Sequence, residues 1–152
     1  MFGEGIKMKK VYQFLFGLQL FVGIGAIGGG LMAILNPQGP GGMPTDALKN
    51  SPFSNYLIPG IILFSIIGLG GIFSSIMIHF RVKFAGYISS VFSWALVIWI
   101  VVQCIMLNTI VSLHVIYFII GLAEAALSAI ILFEQRLFPA NIILAIYKQI
   151  RR

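Results

Sequence analysis

The amino-acid sequence predicts an all-α membrane protein, a bundle of four transmembrane helices in one membrane domain, residues 1–152. The chain is 59% hydrophobic and 9% charged and has a mean hydropathy of +1.02, whereas soluble domains average about 25% charged residues. A transmembrane helix needs about 20 apolar residues. Four apolar stretches have roughly that length: 11–35, 57–80, 84–107 and 115–133.

The basic residues predict the orientation of these helices. Four spans place the 36–56 segment on one side of the membrane and the termini and the 81–83 turn on the other. Of the ten Lys and Arg residues in the chain, only Lys49 is on the side of the 36–56 segment. The positive-inside rule therefore predicts that both termini and the 81–83 turn are cytoplasmic. We interpret the first stretch as a retained helix, because its apolar region exceeds the ~7–15 residues of a signal-peptide core. The nine other basic residues are Lys7, Lys9, Lys10, Arg81, Lys83, Arg136, Lys148, Arg151 and Arg152.

The same charges indicate the surroundings of the protein. A net charge of +6 concentrated on one face suits the anionic lipids of the inner leaflet, so we expect a multi-pass protein of the cell membrane. Nucleic acid is excluded as a partner, because no Lys or Arg is interleaved with aromatic residues on a solvated face. The single cysteine, Cys104, excludes disulfide chemistry within the chain.

The segment 36–56 is a long outer loop whose Pro and Gly content breaks regular structure. Its apolar side chains predict that it folds back over the bundle as a lid, although a simple Pro/Gly spacer remains the alternative. The lid candidates are Met43, Leu48, Phe53 and Tyr56.

The C-terminal segment, about 140–152, has its apolar residues on one helical face. This pattern is typical of an amphipathic helix on the inner membrane surface, and a frayed basic tail is the alternative. The apolar residues are Ile142, Ile143, Ile146 and Ile150.

Small residues recur on one face of several predicted helices. Such residues let membrane helices approach closely, so they predict a tight bundle, with the alternative that some glycines line a cavity. They are Gly25 and Gly29 in the first helix, Gly60, Gly68, Gly71 and Ser75 in the second, and Gly121, Ala125 and Ala129 in the fourth.

Glu124 is the only carboxylate inside any of the four stretches. A carboxyl group in hydrocarbon is costly, and desolvation favours its neutral form, so we expect a neutral, hydrogen-bonded Glu124. It is either a proton-carrying or cation-binding group of a transport path, or an interhelical or intersubunit hydrogen bond. Tyr117, Gly121 and Ser128 share its helical face.

Depth predicts which residues lie level with Glu124. At a rise of ~1.5 Å per residue, a helix beginning at residue 115 places Glu124 roughly 14 Å deep. We place Ser65 and Trp99 at a similar depth, with Gly25 to Gly28 of the first helix. Helix 3 adds a polar face with Gly86, Ser89, Ser93 and Gln103. The ligand-binding or coupling candidates are therefore Glu124, Tyr117, Ser128, Ser65, Trp99 and Gln103.

The sequence contains no recognisable catalytic, metal or cofactor signature. His114 and His79 lie at opposite membrane faces, and no serine stands in a Gly-x-Ser-x-Gly context. The glycines 28–30 lack the Lys and Ser/Thr of a phosphate-binding loop. We therefore expect no catalytic residues, no metal, no cofactor and no enzymatic activity.

Two segments carry a resemblance to a known group of proteins. The loop and helix start Ser51-Pro52-Phe53-Ser54-Asn55-Tyr56-Leu57-Ile58-Pro59-Gly60, with Trp99-Ile100-Val101-Val102-Gln103, resembles a bacterial family of small four-span membrane proteins without an assigned function. The resemblance covers most of residues 15–125. It implies the four-helix topology and a shared role in the outer half of the bundle, and it implies no activity.

Two functional hypotheses follow from the sequence. The first is a non-enzymatic accessory protein, which packs against partner membrane proteins or shelters an apolar ligand beneath the 36–56 loop. The second is a small transporter or channel that acts as a homo-oligomer, with Glu124 as the coupling group, since one four-helix subunit is too small to enclose a wide pore.

Overall fold

In the computed structural model, which describes residues 2–135, 137 and 140–150, the ordered elements are all helical. Four helices are long and apolar enough to cross a membrane, and the first of these spans runs over Lys7–Leu35. The prediction of an all-α chain with four membrane-length helices is confirmed. The helices are α1 Phe2–Leu35, α2 Leu57–His79, α3 Ala85–Leu107, α4 Ser112–Glu134 and α5 Ala140–Ile150.

Two of the long helices begin before their predicted spans. The helix α1 begins at Phe2, nine residues before residue 11, and α4 begins at Ser112, three residues before residue 115. The His114 side chain caps the start of α4. His114 Nδ1 accepts a hydrogen bond from the Val111 backbone N–H at 3.3 Å, which satisfies one of the free donors at a helix start. The preceding turn is closed by Asn108, whose φ of 46° lies in the left-handed region.

The four long helices pack as a ring in sequence order. Each helix contacts the next, and α1 closes the ring against α4. The α1–α2 contact depends on glycine: a Cβ added to Gly30 would lie 2.7 Å from the backbone N of Phe64, and one added to Gly60 would lie 2.7 Å from the Cβ of Ala33. The predicted close approach through small residues therefore occurs between these two helices.

The helix α2 contains a wide turn in its first half. Residues Leu63–Leu69 form a π-helical stretch, a local widening of the helix that is frequent at functional sites. Two of its residues, Leu63 and Ile67, face the interior of the bundle, where they border the cavity described below.

The 36–56 segment is folded across one end of the bundle, called here the loop end. It contains two short 3₁₀ turns, Pro40–Gly42 and Thr45–Leu48. The Tyr56 backbone N–H donates to Pro37 O at 2.9 Å, and the Tyr56 hydroxyl donates to Pro44 O at 3.1 Å. Leu48 and Tyr56 are buried against Ala33 and Met106, so the loop is anchored to the helices.

The last helix, α5, contacts the bundle only weakly, through α4. Its apolar residues are exposed: Ile142, Ile143, Ile146 and Ile150. The final two residues of the predicted 140–152 helix lie outside the described residues.

Candidate functional site

A buried polar cluster lies inside the bundle, and it contains Gln19 of α1, Ser89 and Ser93 of α3, and Glu124 of α4. Each of these side chains is at most 2% exposed. Gln19 Nε2 donates to Ser89 Oγ at 2.6 Å and to the Ser89 carbonyl oxygen at 3.3 Å, with a longer contact of 3.5 Å to Ser93 Oγ. These bonds link α1 to α3, which are not neighbours in the ring.

The Ser93 hydroxyl group lies beside the Glu124 carboxyl group. Ser93 Oγ donates to the Ser89 carbonyl oxygen at 2.7 Å within its own helix. A hydroxyl group has one donor and two acceptor sites. While Ser93 donates to Ser89 it can still accept a hydrogen bond, which is the arrangement that a neutral Glu124 would use.

Two oxygens of the cluster lack a hydrogen-bond donor. Gln19 Oε1 and Glu124 Oε1 are both buried without a partner among the described residues. Ser128, which the sequence places on the face of Glu124, donates to the Ala125 carbonyl at 2.8 Å in its own helix. Ser128 is thus a buried neighbour on α4 and satisfies neither oxygen.

The structure corrects the predicted depth of Glu124. Glu124 lies twelve residues from the start of α4 at Ser112. This corresponds to a depth of about 18 Å from the loop end, whereas the sequence predicted about 14 Å. Trp99 lies eight residues from the end of α3 at Leu107, only about 12 Å deep. Trp99 is not level with Glu124, because Glu124 lies beside Ser93, which is about 9 Å from Trp99 along α3.

Ser65 does not reach the interior at all. Its side chain is exposed on the surface of the bundle, and its hydroxyl donates to the Ile61 carbonyl at 2.6 Å within α2. This internal bond satisfies the hydroxyl where no partner helix covers it. Ser65 therefore lies apart from both the polar cluster and the cavity.

A cavity of about 480 Å³ occupies the loop-end half of the bundle. It lies between all four long helices, and the 36–56 loop covers it through Met43, Pro44 and Ala47. Of the candidates from the sequence, Trp99, Gln103, Tyr117 and Met43 line it together. The remaining lining residues are Val22, Gly25, Ala26, Gly29, Leu63, Ile67, Leu96, Ile100, Leu107, Thr109, Val111, Leu113 and His114.

The other lid candidates hold the loop instead of lining this cavity. Leu48 and Tyr56 are core residues of the loop end, and Phe53 packs against them. Tyr56 also borders a smaller space of about 150 Å³, which shares Met43 and Trp99 with the main cavity. The loop thus forms the roof of two adjacent interior spaces.

The cavity reaches the surface of the bundle between α1 and α4. Gly25 of α1 and Leu113 of α4 both line the cavity and are both exposed. A Cβ added to Gly25 would lie 2.8 Å from the Tyr117 hydroxyl oxygen, and nothing else but the Tyr117 ring comes within 4 Å. Phe21 stacks on Tyr117 with ring centroids 6.3 Å apart. The wall of the cavity between α1 and α4 is therefore thin at Gly25, where the Tyr117 side chain alone covers it, and this point is called here the lateral mouth.

No charged side chain is among the lining residues of the cavity. Its polar groups are few: the Trp99 indole, the Gln103 amide, the His114 imidazole, and the hydroxyls of Thr109 and Tyr117. The described residues contain no group of three or more His, Cys, Asp or Glu that would hold a metal ion. Apolar walls with a few polar groups are features that small-molecule pockets share.

The sequence analysis missed Gln19, which is the strongest link between the helices of the polar cluster. The signal was present, because Gln19 is an amide inside an apolar span, and buried polar groups require partners. Its partners lie 70 and 74 positions away, and only the packing of α1 across α3 identifies them.

The fold and its apolar helices define a helical multi-pass membrane protein. Comparison of the chain with protein-family models, with curated proteins and with solved structures finds no match. The resemblance to a bacterial family of four-span proteins therefore stays a prediction.

Proposed function

We propose that this is a non-enzymatic integral membrane protein that binds an apolar molecule in the cavity at its loop end. The cavity of about 480 Å³ lies in the range of about 300–1,000 Å³ that is typical of small-molecule sites. Apolar walls with a few polar groups are also typical of such sites. The lateral mouth beside Gly25 is the observation that carries the proposal, because it gives a membrane-dissolved molecule a way in.

The proposed setting is the cell membrane, with both termini in the cytoplasm. In this orientation the basic residues of α1 and of the α2–α3 turn meet anionic inner-leaflet lipids. The exposed isoleucines of α5 then lie on the inner membrane surface, where an amphipathic helix buries its apolar face. The cavity belongs to the outer half of the bundle.

An accessory role adds a protein partner to this proposal. The partner is another membrane protein or a second copy of the chain, and the 36–56 loop is the proposed contact. Crosslinking in the native membrane should give a distinct adduct that a Met43→Lys substitution in the exposed part of the loop weakens. An adduct of unchanged yield would place the contact elsewhere.

The alternative function is a homo-oligomeric transporter or channel with Glu124 as the coupling group. The buried carboxyl group inside the bundle supports this alternative, but transport also requires a path to Glu124. The main cavity is lined by neither Glu124 nor Gln19, which favours the binding proposal. Under the alternative, Glu124→Gln abolishes proton-linked flux in liposomes and leaves the fold intact, whereas ligand binding in the cavity persists.

Quenching of Trp99 by brominated lipid chains tests the binding proposal. The chain has two tryptophans, so Trp94→Phe leaves Trp99 as the only reporter. In vesicles of phosphatidylcholine with brominated acyl chains, a chain that enters the cavity contacts Trp99 and quenches it. Gly25→Leu closes the mouth and should reduce the quenching.

Gly28→Leu is the matched control, because Gly28 is exposed and a Cβ there meets nothing within 4 Å. It lies one turn from Gly25 and outside the lining of the cavity. Equal quenching in the Gly25→Leu and Gly28→Leu variants would contradict entry through the lateral mouth.

A further inference from the structure

Trp99, which lines the cavity, carries an unused hydrogen-bond donor. Trp99 is 7% exposed, and its Nε1 is buried with no acceptor among the described residues. An indole N–H can only donate, and a buried Trp N–H usually has a partner. Trp99 borders both the main cavity and the smaller space under the loop. A bound molecule with an acceptor atom next to Trp99 would give the indole N–H its missing partner.

His114 is a second donor on the same cavity. Its Nδ1 accepts the Val111 N–H at 3.3 Å, so the neutral imidazole carries its proton on Nε2. No described residue accepts from this Nε2–H. The bond that caps α4 therefore determines the tautomer and leaves a donor on a residue that lines the cavity.

The absence of charge on the lining defines what kind of acceptor fits. A phosphate or carboxylate needs a cationic partner when it is removed from water, and no Lys or Arg is among the lining residues. A neutral oxygen acceptor needs only N–H donors. An ester or ketone carbonyl on an apolar molecule meets both conditions.

We infer that the apolar molecule bound in this cavity carries a neutral carbonyl oxygen, which accepts hydrogen bonds from Trp99 Nε1–H and His114 Nε2–H. The inference rests on the proposed function, since it concerns the ligand of the same cavity. The carbonyl comes from a lipid ester or from a quinone, and the test includes both sources.

The test follows the Trp99 indole directly by nuclear magnetic resonance. The ¹⁵N-labelled Trp94→Phe protein, in a detergent without carbonyl groups, has one indole N–H resonance. It is titrated with methyl palmitate, with a benzoquinone bearing a decyl chain, and with hexadecane as the ligand without oxygen. We expect a downfield shift of the indole proton with a carbonyl ligand and no such shift with hexadecane, and the ligand that produces the shift identifies the source.

Substitution gives an independent readout. Ligand-induced thermal stabilisation reports affinity in each variant. Because Trp99→Phe removes one hydrogen bond to the ligand carbonyl, we expect it to weaken binding of the active carbonyl ligand about tenfold. Its effect on hexadecane binding should be less than about twofold. Trp94→Phe is the matched control, since Trp94 is exposed on the same helix.

Each outcome decides a separate point. If all three ligands stabilise the protein and shift the indole resonance equally, recognition of a carbonyl is overturned and binding of an apolar molecule survives. If none of them shifts the resonance or stabilises the protein, the proposed function itself fails. If Trp99→Phe does not fold, the resonance measured in the Trp94→Phe protein still decides.

Discussion

The carboxyl group of Glu124 on α4 lies beside the hydroxyl group of Ser93 on α3, and that hydroxyl group donates to the Ser89 carbonyl oxygen. The contact joins two neighbouring helices deep in the bundle. A neutral Glu124 would donate its own proton to Ser93 there, and a neutral group is what a hydrocarbon environment tolerates best.

A neutral Glu124 beside Ser93 predicts how substitutions at Glu124 behave. Glu124→Gln keeps a donor toward Ser93 and a similar volume, so we expect a change in unfolding free energy below about 1 kcal/mol. Glu124→Ala loses the donor and leaves a cavity, which should cost about 2–3 kcal/mol. Unfolding in mixed detergent micelles measures both. A Gln variant as unstable as the Ala variant would contradict the neutral donor.

Infrared difference spectroscopy tests the proton on Glu124 itself. We expect a carbonyl stretching band of a protonated carboxyl group in the wild-type protein at neutral pH. Glu124→Gln should remove that band, whereas Asp46→Asn, at an exposed position on the loop, should not. A spectrum without the band in the wild-type protein would show an ionised Glu124.

The close approach of α1 to α2 predicts opposite effects for two glycines of the same helix. Gly30→Ala forces a Cβ to within 2.7 Å of the Phe64 backbone, and such overpacking typically costs about 1–3 kcal/mol. Gly17→Ala meets nothing within 4 Å and should be neutral or slightly stabilising. The two effects are compared by measuring the thermal unfolding midpoint of each variant and of the wild-type protein. Equal midpoints would mean that α1 and α2 are farther apart.

The hydrogen bond from Tyr56 to Pro44 predicts how firmly the loop is closed. Tyr56→Phe removes this hydrogen bond and should lower the free energy that favours the closed loop by about 1 kcal/mol. The population of molecules with an open loop should therefore rise about fivefold. A nitroxide on Asp46→Cys, in a Cys104→Ala background, reports loop mobility by electron paramagnetic resonance. Position 46 suits the label, because its surface ion pair with Lys49 contributes little stability. An unchanged spectrum would show that the loop closes without this bond.

The same tyrosine predicts a dependence on pH. Burial raises the pKa of the Tyr56 phenol above its ordinary value of 10.0. A folded-state pKa above the unfolded one contributes stability that is present below pH 10 and is lost as the pH rises through the raised value. The nitroxide should therefore become mobile above pH 10, and Tyr56→Phe should abolish this step.

The helix boundaries show which features of the fold the sequence alone can predict. The observed α2 and α3 agree with the predicted spans within one residue, because hydrophobic length is a local property. The start of α4 was missed, since the capping bond from Val111 to His114 depends on a side chain that hydropathy does not weigh. The predicted layer of Trp99 and Glu124 was wrong for a different reason: packing between helices sets Glu124 beside Ser93 and sets Trp99 on the cavity.

The glycines show what local pattern cannot distinguish. Gly25 and Gly29 have the spacing of a close helix contact, yet both line the cavity. Gly30 and Gly60 make the close contact with α2 and α1 respectively. A glycine permits either arrangement, and only the position of the neighbouring helix selects one.

The sequence by itself determined the four membrane-length helices, the single carboxyl group within them and the long loop after the first helix. These follow from composition and from distances along the chain. The tertiary structure alone decided that Gln19 reaches Ser89, that Ser65 faces outward and that Trp99 and Tyr117 share a cavity. These depend on the rotation and depth of each helix relative to the others, which side-chain packing sets and local hydrophobicity does not encode.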